Sequence, residues 1–165
     1  MSKIINLTQL GSVGNYQSSL KKIVFYSGVF DLFHYGHFLA LKKASKVGDI
    51  LIVQIDGNIL VRSRKGSDRP YLDEMLRAEM ISNLTFVDYV FISNTPSEDP
   101  ETLKVLRPSY FIRAIKKGEN LQTRLEREII LKKHVPKMSI VWLEQTKEVS
   151  TTKLLTIIKN SDNQH

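Results

Sequence analysis

The feature that most constrains this chain is an alternation of short apolar runs with helix-spaced segments. Ile23-Val24-Phe25-Tyr26, then residues 50–55 (ILIVQI), 87–92, 110–115 and 140–143, read as buried strands. Between them lie helical patterns. Residues 37–46 carry Leu39, Leu41 and Ala44 and stop at Gly48; residues 74–84 place Met75, Ala78, Ile81 and Leu84 on one face. A short helix at 102–106 precedes Pro108, a charged helix at 124–133 turns Leu125, Ile129 and Ile130 inward, and a last helix spans 151–158. Strands alternating with helices make βαβ units with right-handed crossovers. The expected fold is α/β, a five-stranded parallel sheet with helices on both faces. In such sheets ligands bind at the carboxyl ends of the strands, where the strand order reverses.

A length of 165 residues suits one core. Residues 1–20, rich in Ser, Gly, Asn and Gln, read as a loosely ordered extension, although Ile4, Ile5 and Leu10 could dock on a neighbour. Residues 21–160 form the domain and 161–165 a polar tail. There is no cysteine, hence no disulfide framework and no thiolate metal site. The first residues lack a signal-peptide core and no apolar run is long enough to span a bilayer, so a cytoplasmic protein away from membranes is expected. The net charge of +7 suits nucleotides, phosphates or nucleic acid. The basic residues are spread along the chain and no aromatic-rich RNA-binding sheet signature is present, so nucleic acid is the weaker partner.

The first strand runs into the segment that carries chemistry, Ser27-Gly28-Val29-Phe30-Asp31-Leu32-Phe33-His34-Tyr35-Gly36-His37. It reads as a strand end, a glycine turn and a helix start. Gly28 and Gly36 let backbone approach a ligand. The helix N-terminus offers unpaired N–H groups and the positive dipole end to a phosphate. His34 and His37, three apart, can share one side of the first turn. Two imidazoles there can stabilise charge on a transferring phosphoryl group. Metal ligation is the other use of such a pair, but no carboxylate stands at matching spacing, and no protein-held metal is expected.

The strand, then Gly28-Val29-Phe30-Asp31, then His34-Tyr35-Gly36-His37 resemble the signature of the cytidylyltransferase-like nucleotidyltransferases, over residues 22–159. The resemblance implies a Rossmann-like fold and an enzyme that moves NMP from an NTP onto a phosphorylated acceptor. Attack falls at the α-phosphorus, pyrophosphate leaves, and Mg²⁺ assists. It implies that His34 and His37 are catalytic and that Gly28, Val29, Phe30 and Gly36 line the nucleotide. Lys65, in the basic stretch Arg64-Lys65-Gly66-Ser67-Asp68-Arg69-Pro70, matches a family lysine that reaches the phosphates from a flexible loop. Arg77 matches an arginine near the nucleotide. Ser150, Thr151, Thr152 and Lys153 resemble the family's S-T-T segment, which seats the triphosphate. Lys137-Met138-Ser139 is similar to part of a class I aminoacyl-tRNA synthetase loop, but it runs into the apolar strand at 140–143 and is set aside.

Two branches of the family fit. K-G-x-x-R-P at 65–70 is most similar to heptose-phosphate adenylyltransferases, whereas G-V-F-D-L-F-H-Y-G-H also suits glycerol-3-phosphate and choline-phosphate cytidylyltransferases. Gln145 and Glu148 stand where the glycerol-phosphate enzymes have arginine and glycine. After the fourth strand, Ala114 replaces a family glycine and the acidic residue is displaced to Glu119. ATP and CTP both stay open, with a sugar phosphate or polyol phosphate as acceptor. The displaced loop also admits a non-catalytic nucleotide-binding module, and a homodimer is compatible with the reading.

Overall fold

The computed structural model describes residues 3–14, 20–115, 118–144 and residue 156. Five parallel strands, β1 (Ile23–Gly28), β2 (Ile50–Asp56), β3 (Tyr89–Ser93), β4 (Tyr110–Ala114) and β5 (Ser139–Leu143), form one sheet in the order β3-β2-β1-β4-β5. The order reverses between β1 and β4, so the switch point lies at the carboxyl end of β1, where Gly28 leads into the histidine motif.

The strands are apolar on both faces because both faces are covered. Val24, Tyr26, Leu51, Val53 and Ile55 pack with Leu41 and Ala44 of α2 (Tyr35–Ala44) and Ala78 and Ile81 of α4 (Glu74–Ser82). Their strand neighbours Ile23, Phe25, Ile50 and Ile52 point the other way. They meet Leu10 of α1 (Leu7–Gly14), Leu103 and Leu106 of α5 (Pro100–Leu106) and Leu131 of α6 (Leu121–Lys132). Phe25 stacks on Phe111 at 4.9 Å between ring centroids.

Four readings change. The described part of the amino-terminal segment is docked rather than loose: Ile4 bridges Val90 in parallel, the Ile5 N–H donates to the Val90 carbonyl, and Leu10 is fully buried. The edge of β3 offers unpaired backbone that residues 3–5 satisfy, and at the start of α1 the backbone N–H groups of Asn6 and Gln9 each donate to the other's side-chain oxygen. Second, Arg64 and Lys65 are not in a loop but on the last turn of α3 (Asn58–Lys65), a helix too short for its pattern to be read, with Leu60 and Val61 its buried residues. Third, Leu125, Ile129 and Ile130 of α6 are 46%, 61% and 57% exposed. The helix lies over the β4–β5 edge and buries Leu131 beneath it, so the described residues leave the other apolar positions outside. Fourth, α4 turns Met75 outward and Arg77 inward. The last helix, 151–158, lies outside the described residues apart from residue 156, which is helical.

Candidate active site

The loop leaving β1 is held in a conformation that non-glycine residues avoid. Phe30 and Leu32 have φ of 53° and 50°, in the left-handed region. Each costs on the order of 1–2 kcal/mol, so surrounding contacts must hold them. The buried Phe30 ring folds back over Gly28, where a Cβ would come within 3.0 Å of two ring atoms. The second restraint is Asp31, 2% exposed, whose carboxylate accepts the Tyr71 and Leu72 N–H groups and pairs with the Arg69 guanidinium at 2.6 Å. Asp31 thus ties the histidine loop to residues 69–72.

The third restraint is Arg77, which has no exposed surface. Its guanidinium donates to the carbonyls of Leu72 (2.9 Å), Val29 (2.6 Å) and Asp56 (2.8 Å) and to the Asn58 side-chain oxygen (2.8 Å). These acceptors belong to the 69–72 loop, the β1 exit, the end of β2 and the start of α3. The arginine is a buried clamp on the backbone around the site. Gly57, between β2 and α3, is required by crowding, since a Cβ there would run into the Asn94 side chain.

His34 caps α2 with extended backbone and makes no side-chain cap hydrogen bond. The other helices have partners at their starts: Asn6 for α1, Asp73 for α4, Asp99 for α5 and Asn120 for α6. In α3 the Asn58 and Leu60 N–H groups donate to Glu74 and Asn94. Among the described residues, α2 alone presents its first amides without such a partner, and it does so at the switch point. The imidazoles of His34 and His37 stack above it with centroids 3.8 Å apart. Phe30 and Phe33 flank His37 at 5.4 and 5.9 Å. Both Nδ1 atoms are buried without a hydrogen-bond partner among the described residues.

Burial, then the neighbouring His34 and Lys65 charges, push the His37 imidazole down to about 4 against a partial pull from Asp31. Burial also lowers His34. The Lys65 ammonium is lowered by its own burial and by Arg69, while Asp31 and Asp56 favour its charge. Lys65, on the last turn of α3 beyond the carboxyl end of β2, thus lies near enough for its charge to act on His37. Of the carboxylates at this end of the sheet, Asp31 pairs with Arg69 and Asp56 with Arg64 at 3.3 Å.

Across the switch point, Arg113 at the end of β4 is half-buried and pairs with Glu98 at 2.6 Å, while the displaced acid Glu119 pairs with Arg127, also at 2.6 Å. Of the residues expected at the nucleotide, Gly28, Val29, Phe30, Gly36, His34, His37 and Lys65 come together at one end of the sheet. Arg77 supports that end from beneath. Ser150, Thr151, Thr152 and Lys153 lie outside the described residues. Asp31 was not singled out as a functional residue; its signal was its place between the glycine turn and the histidines.

A parallel sheet whose switch point carries an uncapped helix N-terminus and paired imidazoles defines an α/β protein built to bind phosphate. The chain belongs to the cytidylyltransferase-like family, whose model matches residues 25–157. Similar proteins include the bifunctional protein HldE of Geobacter metallireducens, 42% identical over 62% of this chain and 22% of that protein. HldE of Desulfatibacillum aliphaticivorans is 32% identical over 96% of this chain and 32% of that protein. The chain thus spans about a fifth to a third of the length of these relatives. The lipopolysaccharide core biosynthesis protein of Thermoplasma volcanium superposes with a TM-score of 0.62 at 25% identity, over 77% of this chain and 99% of that one. Pantoate-beta-alanine ligase of Francisella tularensis shares the fold, with a TM-score of 0.66 at 15% identity over 96% of this chain and 77% of that one.

Proposed function

We propose that the chain transfers AMP from ATP to a heptose-type sugar phosphate and releases pyrophosphate. The observation that carries this reading is the Arg69–Asp31 ion pair at 2.6 Å. It joins the K-G-x-x-R-P stretch, similar to that of heptose-phosphate adenylyltransferases, to the histidine motif as one unit. The similarity to HldE proteins points the same way.

An acceptor phosphate oxygen attacks the α-phosphorus in line, forming one P–O bond as the bond to the bridging oxygen breaks and pyrophosphate departs. Charge accumulates on the transferring group and on the leaving oxygen. The α2 amides and the His34 and His37 side chains are placed to stabilise it, and Lys65 neutralises the departing phosphates. An incoming triphosphate favours the protonated imidazole, so binding draws a proton onto the His37 ring, which is neutral near pH 7 in the free protein. Ser150, Thr151, Thr152 and Lys153 complete the triphosphate seat in this reading. Mg²⁺ would come with the nucleotide in this reading and would supply charge neutralisation at the phosphates. A cytoplasmic setting belongs to this reading, since it draws on NTP; no described helix is long and apolar enough to cross a membrane.

Thermal melting with ATP, CTP, GTP and UTP at matched concentrations tests the choice of base, because a tighter ligand of the folded state raises the midpoint further. The largest shift is expected with ATP. A shift with CTP alone would move the chain to the cytidylyltransferase branch.

A further inference from the structure

The opposite end of the sheet carries an unassigned feature. A cavity of about 720 Å³ opens where β1, β4 and β5 begin. Its cations are Lys21, Lys22, Lys104, Arg107 and Lys137, with the His134 imidazole beside them, and no Asp or Glu is among its described lining residues. The β1 strand that separates it from the histidines has six residues, so the two sites stand roughly 20 Å apart at about 3.3 Å per residue.

Helix ends account for part of this charge, because cations favour helix C-termini. Lys104 lies in the last turn of α5 and pairs with Glu101 at 2.8 Å, and the Arg107 Nε–H donates to the Lys104 carbonyl. Lys21, Lys22 and Lys137 stand on the entries to β1 and β5, where no helix end calls for charge. The nearby Asp49 carboxylate accepts the backbone N–H of Lys22, while the Lys22 ammonium lies over the Tyr110 ring at 6.0 Å. The walls between the cations are apolar, from Pro108, Val135 and Pro136. The volume lies in the range of small-molecule sites and far exceeds a lone phosphate.

We infer that this cavity is a second anion site, one that takes a small organic polyphosphate independently of the nucleotidyl-transfer site. Its cations meet the phosphates and its apolar walls meet the organic body. A ligand there grips the starts of β1 and β4, the two strands whose far ends flank the switch point.

The test is calorimetric titration of the full chain with a hexose bisphosphate, the transfer site being filled by a non-hydrolysable analogue of whichever NTP gives the largest thermal shift. Binding is expected to persist with that site filled. The double variant Lys22→Glu/Lys137→Glu should weaken it at least about tenfold, the equivalent of one charged hydrogen bond, while the thermal shift with NTP stays as in the wild type. If the charge reversal impairs folding, Lys22→Gln/Lys137→Gln is to show the same loss in smaller degree. Binding equal in wild type and variant, or none with the transfer site filled, overturns the inference. Inorganic tripolyphosphate binding more tightly than the bisphosphate would refute the role given to the apolar walls. A single-stranded RNA that binds through these lysines at physiological salt, and displaces the bisphosphate, would make the cavity part of a nucleic-acid surface instead.

Discussion

Acidification should destabilise this protein through one imidazole in particular. His37 is held at about 4 in the folded chain, against about 6.5 in the unfolded one. Between these values the unfolded chain binds the extra proton, so stability rises with pH across the window. The contribution is complete above about pH 6.5 and is lost as the pH falls toward 4. A gap of roughly 2.5 units at 1.36 kcal/mol each limits the effect to about 3 kcal/mol, and partial solvent access to the ring reduces it to about 2 kcal/mol. Urea denaturation of the wild type and His37→Gln, at about pH 7 and about pH 4.5, isolates the term because other titrating groups are common to both. The wild type should lose about 2 kcal/mol more than the variant on acidification. Parallel losses would refute the claim that burial and the Lys65 and His34 charges hold this ring neutral.

Two substitutions probe the frame around the site. Arg77→Met leaves one buried carbonyl (Asp56), two partly buried ones (Val29 and Leu72) and the Asn58 oxygen without their donor, and at about 1 kcal/mol per acceptor the unfolding free energy should drop by about 3 kcal/mol in urea; a drop below ~1 kcal/mol would mean the clamp is dispensable. Asp31→Asn keeps the shape of the side chain but removes the charge opposite Arg69. Initial rates of pyrophosphate release should fall about tenfold or more, in line with the loss of a charged hydrogen bond, and an unchanged rate would place Asp31 outside the machinery.

The sheet was legible because burial on both faces makes a parallel strand a continuous apolar run, and the sequence keeps those runs apart with helix-spaced segments. The histidine motif was legible because its chemistry is compact in sequence. What escaped reading depends on contacts distant in the chain. Arg77 is expected near the nucleotide, and its role as a backbone clamp shows only once Val29, Asp56 and Leu72 supply it with carbonyls. The left-handed backbone at Phe30 and Leu32 leaves no mark in composition, since neither is glycine. Ile4, Ile5 and Leu10 read as able to dock, but the partner of residues 3–5 follows only from β3 being an edge strand, which local pattern does not reveal. Leu125, Ile129 and Ile130 follow a helical apolar pattern, yet a pattern cannot report that β5 is the last described strand on that side of the sheet.

The central claim is that His34 and His37 stabilise charge in nucleotidyl transfer at the β1 switch point. Its most direct test is pyrophosphate release from ATP with a heptose phosphate acceptor, run for the wild type and His37→Ala. The wild type should release pyrophosphate only when the acceptor is present, and the variant should be slower by about a hundredfold or more, the loss expected for one transition-state donor. Equal rates from the two proteins, or no release from the wild type with any NTP and sugar phosphate, would contradict it.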